Sequence, residues 1–476
     1  MNLIQTLFKN MGWLVFSQLI ANILAFLWTL LIANYIPVDN FGIMQGAISF
    51  MTIASIFMDV GMGVYVTRDI SRNKSLTNKY LSNMMPLKIT LSLIVLLLTF
   101  MILLLLKYPI LNLKVFLIFG LQFALTSMAS LFNGIFQAYE KNEYQAINNI
   151  INSIMLISLI LATIYLNTGL IGISIAYMLS ALIALIYSII VLNNIIKVKL
   201  EFDFKFWHQT IKNSFPFGLT NFFSTIYFLV DTLMLIAING DFAGGIYGAA
   251  YKIIFVFTTI YTTYTIVIFP VMSKFYQNSD NLLKLTYTKS IKYILMITLP
   301  ICICVNFYSK DIISILYTNE YALSATVLQI LIWNLPFLFL NGLSAQFLNS
   351  SSNEMTVTKI NLIACVFNVI INFILIEKFT YIGASVSVLL TSLLIFILIN
   401  YTISKEIFKI DSCSLKSITK ILIASATLMT TIHIFNVSLI IAIPLSVLVY
   451  STSIILLKVL NKGDIYILKE IINKNR

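Results

Sequence analysis

The sequence FLVDTLMLIAINGDFAGGIYGAAYKIIFVF, residues 228–257, contains two apolar runs that are joined by a short turn. Each run belongs to an apolar segment of about 20 residues or more, which is long enough for a helix to cross a hydrocarbon core of roughly 30 Å. Similar segments recur along the 476-residue chain, which is 59% hydrophobic and only 10% charged. This composition is typical of a membrane protein and excludes an ordinary soluble domain.

The spacing of the apolar segments predicts an all-α integral membrane protein with 14 transmembrane helices. The positions of Lys and Arg support this count, because 24 of the 30 fall in connections on one face and four on the other. Positive residues in short loops are retained in the cytoplasm. We therefore predict that both termini are cytoplasmic and that the chain is a multi-pass protein of the cell (cytoplasmic or inner) membrane. Since the basic residues do not form one basic face, we expect no nucleic-acid partner.

The chemistry-bearing motifs of enzymes and metal proteins are missing from the sequence. The four cysteines lack a metal-ligand spacing, so we interpret Cys302, Cys304, Cys365 and Cys413 as packing residues and expect no metal and no cofactor. No nucleotide-binding motif such as GxxxxGK[ST] occurs. No predicted loop is large enough for an external catalytic domain, and the sequence therefore predicts a protein that is not an enzyme.

The turn quoted above belongs to an internal repeat. VDNFGIMQGA (38–47) and GDFAGGIYGA (240–249) align at an offset of 202 residues, which matches Asp39 with Asp241 and Gly42 with Gly244. An even number of predicted helices separates the copies, so the two halves have the same orientation. Close helix packing through small residues also explains the glycines alone.

The repeat predicts two pseudo-symmetric six-helix lobes with a cavity between them, followed by two appended helices. The predicted domains are residues 1–200, residues 201–404, and residues 405–476 with helices 13 and 14 and a cytoplasmic tail.

Two opposite charges lie inside the quoted stretch. Counted from the external ends of their predicted helices, Asp231 is roughly 10 Å deep and Lys252 roughly 15 Å deep, so the two can face each other. An ionisable side chain at such a depth costs at least about 2.5 kcal/mol and normally faces a partner or a cavity. Either a structural salt bridge or the path of a charged substrate or coupling ion explains them.

The first half offers a comparable pair near the other face. Asp59 on predicted helix 2 and Lys88 on predicted helix 3 both lie about 10 Å deep. Arg68 follows at the membrane boundary, on the predicted cytoplasmic side. The same two explanations, a salt bridge or a transport path, apply to this pair.

Uncharged polar residues inside the predicted spans give a weaker signal. Gln18, Asn22 and Asn221 lie on the first helices of the two repeats, so we predict that they line the cavity. Hydrogen bonds between helices explain such residues equally well.

Two segments resemble a known family. ANYIPVDNFGIMQGAISFMTIASIFMDVGMGVYVTRDISRNK (33–74) resembles the opening signature of the prokaryotic polysaccharide and oligosaccharide (O-antigen-type) flippases. SFPFGLTNFFSTIYFLVDTLML (214–235), GIYGAAYKI (245–253) and FPVMSK (269–274) are similar to helices 7 and 8 of that family. The family belongs to the multidrug, oligosaccharidyl-lipid and polysaccharide exporter superfamily, and the resemblance implies a MATE-like two-lobe fold.

The resemblance also implies a function. The chain is expected to flip a polyprenyl-(pyro)phosphate-linked oligosaccharide from the cytoplasmic to the external leaflet by alternating access, with H⁺ or Na⁺ as the candidate coupling ion. Helices 1, 2, 7 and 8 are expected to form the cavity for the phosphate-sugar head. On this sequence those helices carry Asp59, Asp231 and Lys252, with Arg68 at the cytoplasmic mouth. Membrane lipid and glycan assembly enzymes are the further expected partners.

Two other functions are open at this stage. A multidrug or small-molecule cation antiporter would use the same scaffold. An integral membrane glycosyltransferase or polymerase would need clustered acids or arginines in a large external loop, for which Lys310, Asp311 and Glu320 are a small set.

Overall fold

The computed structural model describes residues 3–193, 201–278, 280–351, 353–406, 412–435 and 437–460. Within these ranges every regular element is a helix, and no strand occurs. The α-helices are, in chain order, α1 (Leu3–Tyr35), α2 (Val38–Asp59), α3 (Met62–Arg72), α4 (Thr77–Leu105), α5 (Ile110–Ala138), α6 (Asn142–Tyr165), α7 (Gly169–Asn193), α8 (Phe204–Asn239), α9 (Asp241–Asn278), α10 (Asp280–Phe307), α11 (Ser309–Leu316), α12 (Ser324–Leu331), α13 (Asn334–Ser350), α14 (Glu354–Glu406), α15 (Ser412–Phe435) and α16 (Leu439–Leu456).

The helices confirm an all-α membrane architecture. In the part of the chain that the structure describes, 11 helical segments are long and apolar enough to cross a membrane, and a pair in α8 bent by 61° would make 12. One segment, Met355–Lys405, has 51 residues and contains a non-helical backbone at Thr380 (φ 51°, ψ −129°), which divides α14. The predicted count of 14 is not confirmed.

The side chains of α4 show what surrounds these helices. Leu97 and Met101 are exposed, whereas Lys88 and Ser92 are buried. This distribution is the reverse of that on a soluble protein. It is what hydrocarbon requires, because a polar group without a partner is costly in lipid and must be satisfied inside the protein.

The chain forms two compact units. Unit 1 comprises Met1–Thr259 and Cys365–Ala384, and unit 2 comprises Ile260–Ala364 and Ser385–Arg476. The division into residues 1–200, 201–404 and 405–476 stays a prediction.

Each unit has its own apolar core. In unit 1, buried residues of α3, α4 and α5 pack together, among them Met62, Leu81 and Phe132. In unit 2, residues of α10, α15 and α16 form a second cluster, to which Leu299 and Leu428 contribute. All eight predicted site residues belong to unit 1.

A backbone break positions Asp59 at the end of α2. The sequence predicts that helix 2 continues to residue 66, but α2 ends at Asp59, and α3 begins at Met62. Val60 (φ 49°) and Gly61 (φ 76°) both adopt the left-handed conformation, which ends a helix. A Cβ on Gly61 would lie 2.3 Å from the backbone nitrogen of Gly218 on α8. The break therefore depends on a glycine for its conformation and for its close packing.

Gly61→Ala is expected to lower the stability of the protein. The methyl group meets backbone atoms of α8, and a left-handed alanine costs about 1–3 kcal/mol when its conformation is enforced. Thermal unfolding in detergent checks this prediction. Gly12→Ala is the matched control, since a Cβ there has no neighbour within 4 Å. Equal melting temperatures for the two variants would contradict the role of the break.

The start of α8 is fixed to α4. The Asp203 carboxylate accepts hydrogen bonds from the backbone N–H of Lys205 (3.0 Å) and Phe206 (3.1 Å), which caps α8. The backbone N–H of Asp203 in turn donates to Oδ1 of the buried Asn83 on α4, at 2.9 Å. These bonds tie the first turn of α8 to α4, whereas Asp231 lies near the other end of α8.

Candidate functional site

A buried ion pair joins α2 to α4. The Lys88 side chain is 0% exposed, and that of Asp59 is 25% exposed. The Lys88 Nζ donates to Asp59 Oδ1, to the Ser127 carbonyl oxygen at 2.7 Å and to Ser130 Oγ at 3.1 Å. An ammonium group has three protons to donate, so these acceptors satisfy it. The predicted proximity of Asp59 and Lys88 is confirmed.

Asp59 also connects two helices at the break. It is the last residue of α2, where the partial negative charge of the helix end disfavours a carboxylate. Its Oδ2 accepts a hydrogen bond from the backbone N–H of Gly63, at 3.2 Å, in the first turn of α3. Lys88 and this N–H offset the unfavourable helix end, and the carboxylate thereby holds α2, α3 and α4 together.

A second buried carboxylate has a different environment. Asp231 on α8 is 4% exposed, and its Oδ1 accepts hydrogen bonds from Nδ2 of Asn368 (3.1 Å) and Nδ2 of Asn372, both on α14. Asn372 Nδ2 also donates to Asn368 Oδ1 at 3.1 Å. Within the described residues, the ion pairs are Arg68–Asp69 and Lys88–Asp59, so Asp231 takes part in none.

The Asp231 cluster has the ligand chemistry of a cation site. Asn372 Oδ1 is buried and has no hydrogen-bond partner in the described part of the chain. Carboxylate and amide oxygens are the ligands that hard cations prefer. Asp231, Asn368 and Asn372 therefore offer oxygen atoms to a small cation, and the carboxylate alone can take a proton.

The structure does not place Lys252 opposite Asp231 as an ion pair. The Lys252 Nζ lies 5.1 Å from the ring centroid of Phe255, one turn along α9. The expectation that the two charges face each other is therefore wrong for the described residues. Depth along two consecutive helices does not fix the side on which each residue lies, and Asp231 turns instead to amides on α14.

Arg68 lies on α3, close to the break. Its side chain is 42% exposed, and its guanidinium lies 5.1 Å from the ring of Tyr65 and 5.5 Å from that of Phe217. It also forms a salt bridge of 3.2 Å with Asp69. Two rings and one carboxylate orient this guanidinium while part of it stays open to an anion.

The three uncharged candidate residues have less specific surroundings than the charged ones. Gln18 Nε2 on α1 donates to Asn22 Oδ1 at 3.1 Å, as residues four apart on one helix can do. Gln18 and Asn221 are exposed, and Asn22 is half-buried. The structure brings Gln18 and Asn22 together, and their place in a cavity stays a prediction.

Sequence reasoning missed the amide partners of Asp231 and the serine acceptors of Lys88. Asn368 and Asn372 stand four residues apart in the apolar stretch VFNVIINF (366–373), a spacing that puts two amides on one helix face. That signal could have been found. The Ser127 and Ser130 acceptors of Lys88 are also three residues apart in a predicted span, but serines are common in membrane helices and carry little information.

Two family profiles match the sequence. The profile described as "Polysaccharide biosynthesis protein" matches residues 7–276, which is more than half of the chain. The MatE profile matches residues 216–374. The two matches overlap in the region of α8 and α9.

Curated relatives occur in an archaeon. Two uncharacterized membrane proteins of Methanocaldococcus jannaschii are similar to this chain. One is 23% identical over 409 residues, which is 80% of this chain and 80% of the relative. The other is 24% identical over 423 residues, which is 83% of this chain and 97% of the relative.

Solved structures share the fold. A structure described as the lipid II flippase MurJ in an inward closed conformation has a TM-score of 0.78 at 17% identity and covers 92% of this chain and 97% of its own. An inward-facing multidrug resistance MATE family transporter of the MOP superfamily has a TM-score of 0.66 at 14% identity, with 81% and 94% covered. The chain thus shares its fold with this flippase and this transporter.

Proposed function

The chain belongs to the polysaccharide biosynthesis protein family, and from this premise we propose that it flips a polyprenyl-phosphate-linked oligosaccharide from the cytoplasmic to the external leaflet of the cell membrane. The observation that carries the proposal is the family match together with a fold shared over 92% of the chain with a structure described as a lipid II flippase. The solved structures of this fold reported above are described as a flippase and a transporter, so we propose transport without catalysis.

The physical problem that such a protein solves is desolvation. A sugar-phosphate head group cannot cross hydrocarbon unaided, because its polar groups would lose their hydrogen bonds to water. Amide and cationic side chains inside a membrane protein can replace those bonds. Alternating exposure of such groups to the two sides then moves the head group while the polyprenyl tail stays in lipid.

The energy source that we propose is an ion gradient. The sequence contains no GxxxxGK[ST] motif for a nucleotide. Of the two candidate acids, Asp59 already has Lys88 as its counter-ion, whereas Asp231 has only amides. We therefore assign the coupling ion, H⁺ or Na⁺, to Asp231 with Asn368 and Asn372.

Arg68→Gln is expected to weaken binding of the lipid-linked pyrophosphate. A charge-assisted hydrogen bond contributes about 1.5–3 kcal/mol, which corresponds to a Kd higher by about tenfold or more. Titration of the purified protein with a polyprenyl-diphosphate oligosaccharide, followed by its thermal stabilisation, measures this effect. Arg72→Gln, also exposed on α3, is the matched control. Equal affinities for the two variants would remove Arg68 from head-group recognition.

A second candidate function is supported by the MatE profile match over residues 216–374. A multidrug or cation antiporter would bind and move an organic cation such as ethidium. The same stabilisation assay separates the functions. Stabilisation by the polyprenyl-diphosphate oligosaccharide and not by ethidium supports the flippase, and the opposite result supports the antiporter.

A further inference from the structure

The first turns of α2 and α9 touch backbone to backbone. A Cβ on Gly42 would lie 1.8 Å from the carbonyl oxygen of Asp241, and a Cβ on Gly245 would lie 2.3 Å from the carbonyl oxygen of Val38. Backbone atoms cannot move aside as a flexible side chain can. Any larger residue at either glycine must therefore separate the two helices.

This contact is reciprocal. Val38 contacts Gly245, and Gly42 contacts Asp241. The equivalent residues of the two helices are therefore Val38 and Asp241, and Gly42 and Gly245, and each pair is 203 residues apart in the sequence. Gly248 lies against Gln45, its own counterpart at that offset. Such exchange of equivalent contacts is what a local two-fold axis produces. The offset is one residue longer than that of the sequence alignment of the two copies.

Each first turn carries one carboxylate. Asp39 is exposed on α2, in the turn that precedes Gly42, and Asp241 is the first residue of α9. The sequence predicts that the membrane span of this helix begins after Asp241, at residue 242. A helix N-terminus favours an anion, so each acid is stable alone. Two ionised acids in first turns that are in contact repel each other, which opposes the contact.

The surroundings of Asp241 make it the group that titrates. Burial raises the pKa of Asp241, a hydrogen bond from the Asn112 side chain of α5 lowers it, and the charge of Asp39 raises it. Tyr108, in the turn before α5, also lies close enough for its own pKa to be raised, by burial first and then by Asp241. Asp39 and Tyr108 are thus titratable groups that lie close enough to Asp241 to interact with it electrostatically.

We propose that the first turns of α2 and α9 form an acid-sensitive latch, which is closed when Asp241 carries a proton and released when Asp39 and Asp241 are both ionised. The proposal rests on the alternating exposure assigned above, since α2 and α9 belong to different repeats and their first turns lie on the predicted external side. The closed contact favours the neutral acid. Closure is thus complete at low pH and is lost as the pH rises through the raised pKa of Asp241.

The latch gives a proton a defined role. A proton that arrives from an acidic exterior binds Asp241 in the released form and closes the external ends of the two helices. Release of the proton would let these ends separate again. The device acts at the predicted external side, apart from the Asp231 cluster.

The test measures the distance between the two helix ends directly. Spin labels are placed on Asn40→Cys and Phe242→Cys, with the four native cysteines replaced, and distances are recorded in nanodiscs between about pH 4 and pH 8. We expect a short distance at low pH, whose population falls about twofold or more as the pH rises. Asp241→Asn should keep the short distance at every pH, and Asp39→Asn should weaken the pH dependence. Asp311→Asn, an exposed acid on α11, is the matched control and should behave as the parent.

Gly245→Ala provides a second readout, since it should produce the long distance even at low pH, whereas Gly12→Ala should not. A pH dependence that persists in Asp241→Asn, or a distance that is short and constant in the parent, would overturn the latch. The labels report on the helix ends without any substrate. If the distances do not change with pH as expected, the latch proposal is wrong, and the transport assay still tests the flippase proposal. If no transport is measured, the distances between the labels still test the latch.

Discussion

Lys88→Met is expected to destabilise the protein by about 3 kcal/mol, the lower end of the range for breaking a buried ion pair, because Lys88 is fully buried whereas the Asp59 side chain that loses its cation is 25% exposed. Asp59 would keep only the backbone N–H of Gly63 as a described donor. Ser127 and Ser130 would lose the ammonium group to which they are bonded. Denaturant unfolding of the purified protein in detergent measures this loss.

Two further variants show whether the loss comes from the unpaired charge. Lys79→Met removes an exposed cation of the same helix, which lies 4.8 Å from the ring of Phe206, and should cost about 1 kcal/mol or less. The double variant Asp59→Asn with Lys88→Met removes both charges and should recover most of the stability. If Lys88→Met unfolds like Lys79→Met, the ion pair does not hold the helices together.

The double variant also separates the two interpretations of the ion pair. A structural salt bridge predicts that the folded double variant still transports its substrate. A role in the transport path predicts a folded protein that does not transport. Unfolding and transport are measured on the same preparation of the double variant, because an unfolded protein would also fail to transport.

Asp231→Asn is expected to remove the response of the protein to its coupling ion. A ligand at 100 times its Kd stabilises a folded protein by about 2.7 kcal/mol, and a cation that binds the carboxylate should raise the melting temperature accordingly. The parent protein should therefore melt at a higher temperature in NaCl than in choline chloride if the ion is Na⁺. A dependence on pH, with no difference between the salts, identifies H⁺.

Asp231→Asn should lose either response and slow transport by about tenfold or more, equivalent to about 1.4 kcal/mol of coupling. Asn372→Leu removes the unpartnered amide oxygen at similar size and should weaken the response in the same direction. Asp311→Asn is the control, since this acid is exposed and lies on α11. An undiminished ion response in Asp231→Asn would assign the coupling ion to another site.

The two candidate acids differ in how well their partners can be predicted from sequence. Asp59 and Lys88 lie at similar depths on consecutive predicted helices, which allows a contact between them, and the structure shows that contact. The partners of Asp231 lie 137 and 141 residues away, and pairing over such a distance depends on how helices pack rather than on depth. The sequence pairs Lys252 with Asp231 because both lie deep on consecutive predicted helices, and the structure places Lys252 over Phe255 instead.

Local chemistry also explains why the helix ends differ from prediction. Hydropathy gave the all-α membrane class and the apolar segments correctly, because lipid imposes those patterns. It continued helix 2 past Asp59, since the residues after the break are partly apolar. The left-handed backbone at Val60 and Gly61 ends the helix by conformation and by contact with α8, to which hydropathy is insensitive.

The glycines of the repeat have two explanations from sequence, and the structure shows close helix contact together with a pairing that differs from the alignment. Gly42 and Gly245 are sites of close helix contact, as small residues in membrane helices often are. They are also arranged reciprocally, as a repeat requires. The alignment pairs Gly42 with Gly244 at an offset of 202 residues, so it does not give the pairing of Gly42 with Gly245 at 203.

Transport by the purified protein tests the central claim most directly. The protein is reconstituted into liposomes that contain a fluorescent polyprenyl-diphosphate oligosaccharide, and its transfer between leaflets is followed with a membrane-impermeant quencher under an imposed H⁺ or Na⁺ gradient. We predict transfer that exceeds that of protein-free liposomes by about tenfold or more under the gradient and that is lost in Asp231→Asn. Transfer equal to that of protein-free liposomes, in a preparation that exports ethidium under the same gradient, would contradict the flippase assignment.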